Sequence, residues 1–202
     1  RKHQKHSSLL GEIKREMKQL NELLADVRAL DIRGSVAREI SALEYDSRKV
    51  EADNCFFAVV GTASDGHNYI PMAVERGAKA IVCQRLPESL SDDVAYIVVE
   101  DTNEAMAMMA AAYYDHPSEE LRLVGVTGTN GKTTTATLLY DMTMAMGYRA
   151  GLISTVVYRI GEERIPSTHT TPDAIRLNAM MRRMVDSGCD YCFMEVSSHS
   201  IV

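Results

Sequence analysis

The chain has 202 residues, of which 46% are hydrophobic and 25% charged, and its formal charge is −6. That length allows one or two domains at roughly 150 residues each, with enough apolar residues for buried cores. The acidic balance excludes bulk nucleic-acid binding, which shows as a basic surplus. It leaves room for an anionic small ligand, because a few backbone N–H groups, one Lys and a Mg²⁺ hold phosphate locally.

The start, Arg1-Lys2-His3-Gln4-Lys5-His6, is basic and polar, and no apolar signal-peptide core follows it. Residues 1–16 read as a basic leader or extension, with Met17 a candidate initiator. Over 7–30, Leu10, Ile13, Met17, Leu20, Leu24 and Val27 fall on one side of a predicted helix. Short apolar runs then alternate with helical patterns. Strands are predicted over 55–60, 80–83 and 95–99, with helices over 68–76 (stopped by Gly77) and 103–114. Met106, Met108 and Met109 on the last helix read as core filler. Residues 17–116 thus make an N-terminal α/β domain. The polar, Pro-broken stretch after it predicts a linker over 117–121.

From residue 122 the rhythm restarts and runs to 202. Strands are predicted over 121–126, 150–159 and 191–196, and helices over 132–146 and 173–185. Near-continuous apolar strands alternating with helices predict a mostly parallel α/β sheet. The longest apolar run, 105–114, is too short to cross a bilayer. A cytoplasmic protein without membrane contact is expected. Cys189-Asp190-Tyr191-Cys192 has the spacing of a zinc half-site or redox pair, but Cys55 and Cys83 supply no second pair. The segment also runs into a strand instead of opening a helix, so these cysteines read as strand packing.

The strongest chemical signal is Gly125-Val126-Thr127-Gly128-Thr129-Asn130-Gly131-Lys132-Thr133-Thr134, between a predicted strand and a predicted helix. Glycines let successive N–H groups turn toward phosphate oxygens, and the helix start adds partial positive charge. Lys132 would bridge the terminal phosphates of ATP, and the Thr133 hydroxyl would ligate Mg²⁺. The usual pattern wants Gly at position 126, where this chain has Val126. Glu195, near the C-terminal end of the strand over 191–196, falls on the same sheet edge as the loop and suits a metal role. His199 reads either as a helper of metal or substrate or as a polar loop residue.

At Thr127-Gly128-Thr129-Asn130-Gly131-Lys132-Thr133-Thr134 the chain resembles the Mur ligase superfamily, whose phosphate loop has this shortened glycine pattern. Met194-Glu195-Val196-Ser197-Ser198-His199, Thr170-Thr171-Pro172-Asp173, Asp46-Ser47-Arg48 and the run over 60–66 narrow the resemblance. They point to the branch that adds the third residue of the peptidoglycan stem peptide. The resemblance runs from about Met17 to the last residue. It implies a UDP-substrate-binding domain over 17–116 and the first part of a central ATPase domain over 122–202. A C-terminal amino-acid-binding domain and the family's carbamylated lysine would lie beyond Val202, so the isolated chain is expected to be inactive.

By resemblance, Tyr45, Ser47, Thr62, Ala63 and Ser64 would contact the UDP-sugar. Gly128, Thr129, Asn130, Gly131, Lys132, Thr133 and Thr134 would hold ATP. Thr170, Thr171 and Ser197 would hold the muramoyl-peptide side, and Thr133, Glu195 and His199 would serve Mg²⁺, with Lys132 and Glu195 the catalytic pair. His169 stands where some relatives have Asn. The implied partners are UDP-N-acetylmuramoyl-dipeptide and an amino acid, diaminopimelate or lysine. The implied reaction is ATP-dependent amide formation through an acyl phosphate. Rival readings are another ligase of the superfamily, such as a folylpolyglutamate synthase, and a non-catalytic nucleotide-binding module.

Overall fold

The computed structural model describes residues 16–61, 64–166 and 172–196. The chain divides into two compact units between Tyr113 and Tyr114. The first contains β1 (Lys18–Gln19), α1 (Leu20–Leu23), β2 (Ala29–Arg33), β3 (Glu39–Ile40), β4 (Ala42–Glu44), β5 (Asn54–Phe57), α2 (Ile70–Glu75), β6 (Ala80–Cys83), β7 (Ala95–Val99) and α3 (Thr102–Tyr113). Its main sheet has the order β2-β7-β6-β5-β4, and β1 pairs separately with β3. Strands β4 to β7 run parallel, and β2 closes the edge antiparallel to β7. Every residue of β5 and β6 is buried, as a parallel sheet covered on both faces requires. Ile70 and Ala73 of α2 join Phe56, Ile81 and Tyr96 in one core cluster. Met109 and Ala110 of α3 are fully buried, and Met106 is also in the core.

The helix predicted over 7–30 is not what residues 18–33 form. They divide into β1, the single turn α1 and β2. Leu20 and Leu23 are buried as helical spacing requires, but among the described residues the spacing holds for one turn only, and residues 7–15 of the predicted helix lie outside them. Beyond it, tertiary pairing wins over local pattern: Leu30-Asp31-Ile32 lies in an edge strand, with Ile32 opposite Ile97. The strand predicted over 55–60 ends at Phe57. The helix predicted over 68–76 starts as a 3₁₀ turn, Gly66–Tyr69, that runs into α2.

The second unit contains α4 (Pro117–Glu120), β8 (Arg122–Val126), α5 (Lys132–Ala145), β9 (Ala150–Ile153), β10 (Val157–Ile160), β11 (Glu163–Pro166), α6 (Ala174–Asp186) and β12 (Tyr191–Glu195). Its sheet has the order β11-β10-β9-β12-β8. The strands β8, β12 and β9 are parallel, whereas β10 and β11 extend the sheet antiparallel. On one face, Ala136 and Tyr140 of α5 pack with Leu152 and Phe193. On the other, Met180, Met181 and Met184 of α6 pack with Ile153 and Cys192.

One expectation changes here. The single strand over 150–159 is a hairpin, because Ser154 folds the chain back. Its hydroxyl donates to the Val157 carbonyl at 2.8 Å and accepts from the N–H groups of Val156 and Val157. The segment over 117–121, expected to be a linker, contains one helical turn. Pro117 opens it, for which its fixed φ is suited, and Glu120 pairs with Arg182 of α6 at 2.7 Å. All four cysteines are free and buried. Among the described residues no helix is long and apolar enough to cross a membrane.

Candidate functional site

The loop between β8 and α5 takes its shape from two glycines. Gly128 has φ +142° and Gly131 φ +80°. A Cβ on Gly131 would meet nothing within 4 Å, so it is the left-handed backbone, not space, that selects glycine there. Gly131 sits at the N-cap of α5 and no side chain caps that helix start. The first N–H groups of α5 therefore point outward unpaired by a side chain, with the helix dipole behind them. Contrast α6, where the Asp173 carboxylate accepts from Arg176 N–H at 2.9 Å. Lys132 reaches back across the loop, its Nζ donating to the Gly128 carbonyl at 2.7 Å. Thr129, Asn130 and Thr134 are exposed on the same loop and helix start.

Glu195 enters from the neighbouring strand. In the parallel pair β12–β8 it lies opposite Val126, the last residue of β8 before the loop. The Thr133 hydroxyl donates to Glu195 Oε2 at 3.0 Å. Two further donors meet the same oxygen, the N–H and hydroxyl of Thr155, each at 3.2 Å. Hydroxyl and carboxylate oxygens are the hard donors Mg²⁺ prefers. A set this small suits an ion that keeps waters and phosphate oxygens as its other ligands. Among the described residues no group of three or more His, Cys, Asp or Glu is placed to hold a metal ion.

Thr155 is the residue that sequence reading missed. The run Leu152-Ile153-Ser154-Thr155-Val156-Val157 looks like one β-branched strand. Its signal was the polar Ser-Thr pair inside that run, at the end of a strand adjacent to the one carrying Glu195. Thr155 acts through Glu195, orienting Oε2. Thr155→Val removes the hydroxyl donor and keeps the N–H. A hydrogen bond to a charged group contributes about 1.5–3 kcal/mol, so the Mg²⁺ concentration for half-maximal ATP turnover should rise roughly tenfold. Thr155→Ser should stay near wild type. Superimposable magnesium titrations for Thr155→Val and wild type would contradict this role.

In the first unit, Tyr45 and Ser47 follow β4. The Glu44 carboxylate accepts from the N–H groups of Tyr45 and Asp46, both at 3.0 Å. Asp46 caps the 3₁₀ turn Ser47–Lys49 and holds the Arg48 guanidinium through two contacts of 2.8 Å. That guanidinium lowers the Asp46 carboxyl to about 2. Tyr45 is exposed and Ser47 buried. Ser64 is exposed, and its carbonyl accepts from Gly61 N–H at 2.9 Å. An open cavity of about 490 Å³ at this sheet's strand ends is lined by Val60, Gln84 and residues 100–104. Glu100, Asp101 and Glu104 contribute three carboxylates to its lining. Thr62, Ala63, Thr170, Thr171, Ser197 and His199 lie outside the described residues.

Two family models match the chain: the Mur ligase middle domain over residues 126–202 and the Mur ligase family catalytic domain over residues 39–114. The UDP-N-acetylmuramoyl-L-alanyl-D-glutamate--2,6-diaminopimelate ligase of Phocaeicola vulgatus is 51% identical over 182 residues, covering 90% of this chain and 38% of that protein. The chain thus spans well under half the length of the curated relatives it matches. A solved structure of a ligase of the same name superposes with a TM-score of 0.72 at 22% identity, over 91% of this chain and 37% of that one; at that identity the likeness is one of fold. MurF ligase from Thermotoga maritima in complex with ADP matches with a TM-score of 0.54 at 26% identity, over 78% of this chain and 32% of that one. With Mur ligase models matching residues 39–114 and 126–202, and a relative 51% identical across nine-tenths of the chain, the chain belongs to the Mur ligase family.

Proposed function

We propose that the protein to which this chain belongs is an ATP-dependent ligase that adds diaminopimelate to UDP-N-acetylmuramoyl-L-alanyl-D-glutamate. The observation that carries the reading is the 3.0 Å contact between Thr133 and Glu195 beside the uncapped start of α5. Uncharged donors, one cation and one carboxylate meet there, as holding a magnesium–triphosphate requires. The choice of diaminopimelate follows the name of the 51% identical relative.

When bound, ATP supplies the γ-phosphoryl group that turns the D-glutamyl carboxylate into an acyl phosphate; the incoming amine displaces phosphate to form the amide. Carboxylate and γ-phosphate repel each other, so the chain's task is neutralisation and alignment. Lys132 brings the positive charge to the terminal phosphates. The N–H groups at the start of α5 hold phosphate oxygens. Thr133 and Glu195 hold Mg²⁺, and Thr155 keeps Glu195 turned toward Thr133. Tyr45, Ser47 and the segment over 62–64 receive the UDP-sugar, and Thr170, Thr171 and Ser197 the peptide side.

The test is calorimetry. The 202-residue chain should bind UDP-N-acetylmuramoyl-L-alanyl-D-glutamate, and should bind ATP only when Mg²⁺ is present. A fragment over 14–113 should bind the uridine nucleotide without ATP, because that unit has its own core. No heat at millimolar uridine nucleotide, from a fragment shown to be folded, would count against the division of labour.

A further inference from the structure

Between β5 and α2, one histidine joins three pieces of chain. Val60 and Asp65 pair as an isolated antiparallel bridge, and Gly61 and Ser64 are joined by a 2.9 Å hydrogen bond. Asp65 then caps the 3₁₀ turn, its Oδ1 accepting from His67 N–H at 2.9 Å. The same oxygen lies 2.6 Å from His67 Nδ1. Its other oxygen takes the Arg85 guanidinium, and these donors hold the Asp65 carboxyl well below the usual carboxylate range. On the far side of the ring, Nε2 accepts from Gln84 N–H at 2.9 Å, just after β6. A backbone N–H can only donate, so Nε2 is bare and the proton sits on Nδ1, facing Asp65. The ring is buried, at 8% exposure.

The rest of the segment is equally constrained. A Cβ on Gly66 would lie 2.6 Å from the Val59 carbonyl oxygen and 2.7 Å from its nitrogen, so only glycine lets the chain pass this close. Gln84 is fixed from its other end, its side-chain amide donating to the Glu100 carbonyl at 2.8 Å. The segment that leaves β5 is thus pinned through His67 to the end of β6.

We propose that His67 is a positioning residue for the uridine nucleotide: through Asp65 and Gln84 it sets the placement of Val60, Gly61 and Ser64. This rests on the reading in which Ser64 contacts the UDP-sugar. His67 touches no ligand itself; it acts through the backbone it holds. A general structural role would lower the thermal midpoint of the first unit along with its affinity and would raise hydrogen exchange throughout that unit. A positioning role weakens the uridine nucleotide while that midpoint, and exchange outside 60–66, stay at the wild-type values.

The experiment uses the 202-residue chain. Hydrogen exchange with and without UDP-N-acetylmuramoyl-L-alanyl-D-glutamate should show protection over 60–66 in the wild type. Calorimetry then compares His67→Leu, His67→Gln and Arg85→Met, with magnesium–ATP affinity as the control. His67→Leu should raise the Kd for the uridine nucleotide at least tenfold and leave the ATP Kd within twofold. His67→Gln, whose carbonyl can reach toward Gln84 N–H, should recover part of the loss. Arg85→Met alters only the exposed partner of Asp65 and should give a smaller selective loss, which serves if His67→Leu does not fold. Protection in the wild type with unchanged uridine-nucleotide Kd in the folded variants overturns the positioning role alone. So does parallel weakening of both ligands, or a lowered midpoint with raised exchange throughout the first unit. Binding without protection over 60–66, or no binding by the wild type, overturns the substrate reading and the proposal with it.

Discussion

Lys132→Ala in the intact gene product should lower ligation by 10²-fold or more and leave uridine-nucleotide binding within about twofold. Lys132 is the cation of a loop otherwise built from Gly, Thr and Asn, and its ammonium already lies across that loop at Gly128. Removing one preorganised donor to developing charge costs roughly 10²–10³ in rate. A small neutral side chain supplies no replacement, and Arg, with its wide planar head, would fit the same space poorly. The measurement is steady-state phosphate release with saturating substrates, alongside calorimetry with the uridine nucleotide. Activity within tenfold of wild type would remove Lys132, and with it the phosphate-loop assignment.

Glu195→Gln should act through magnesium. The amide oxygen of Gln can still accept from the Thr133 and Thr155 hydroxyls, so the local shape and the thermal midpoint should barely change. The negative charge is gone, and with it the attraction that holds a divalent ion beside the phosphates. We expect the Mg²⁺ requirement to rise at least tenfold and the maximal rate to fall. Overlaying magnesium titrations for the variant and wild type would show that Glu195 serves the metal neither directly nor through water.

Which parts of this were legible in the sequence follows from how local each signal is. The loop between β8 and α5 announces itself because glycine is chosen for backbone angle, and Gly131 has the positive φ that favours glycine. β6 and β7 were legible as apolar runs because a parallel strand buried on both faces has nothing polar to show. Glu195 stood out as a carboxylate ending such a run. Residues 16–30 misled because Leu20, Leu24 and Val27 mimic a helical stripe, while β2 owes its existence to its partner β7. Thr155 was hidden for a related reason: its role depends on β9 lying next to β12, and strand order is not written in any single segment. The His67 network joins residues 65, 67, 84 and 85 across a strand and a helix, a pairing that only the fold reveals.

The activity we propose builds the third residue onto the muramoyl peptide. The direct measurement supplies the intact gene product with ATP, Mg²⁺, UDP-N-acetylmuramoyl-L-alanyl-D-glutamate and, separately, diaminopimelate or lysine, and follows the products by mass. The expected product is a uridine-linked tripeptide carrying diaminopimelate, formed with one ADP and one phosphate per amide, and abolished by Lys132→Ala. ATP cleavage without any tripeptide, or tripeptide formed equally well by Lys132→Ala, would contradict the proposal.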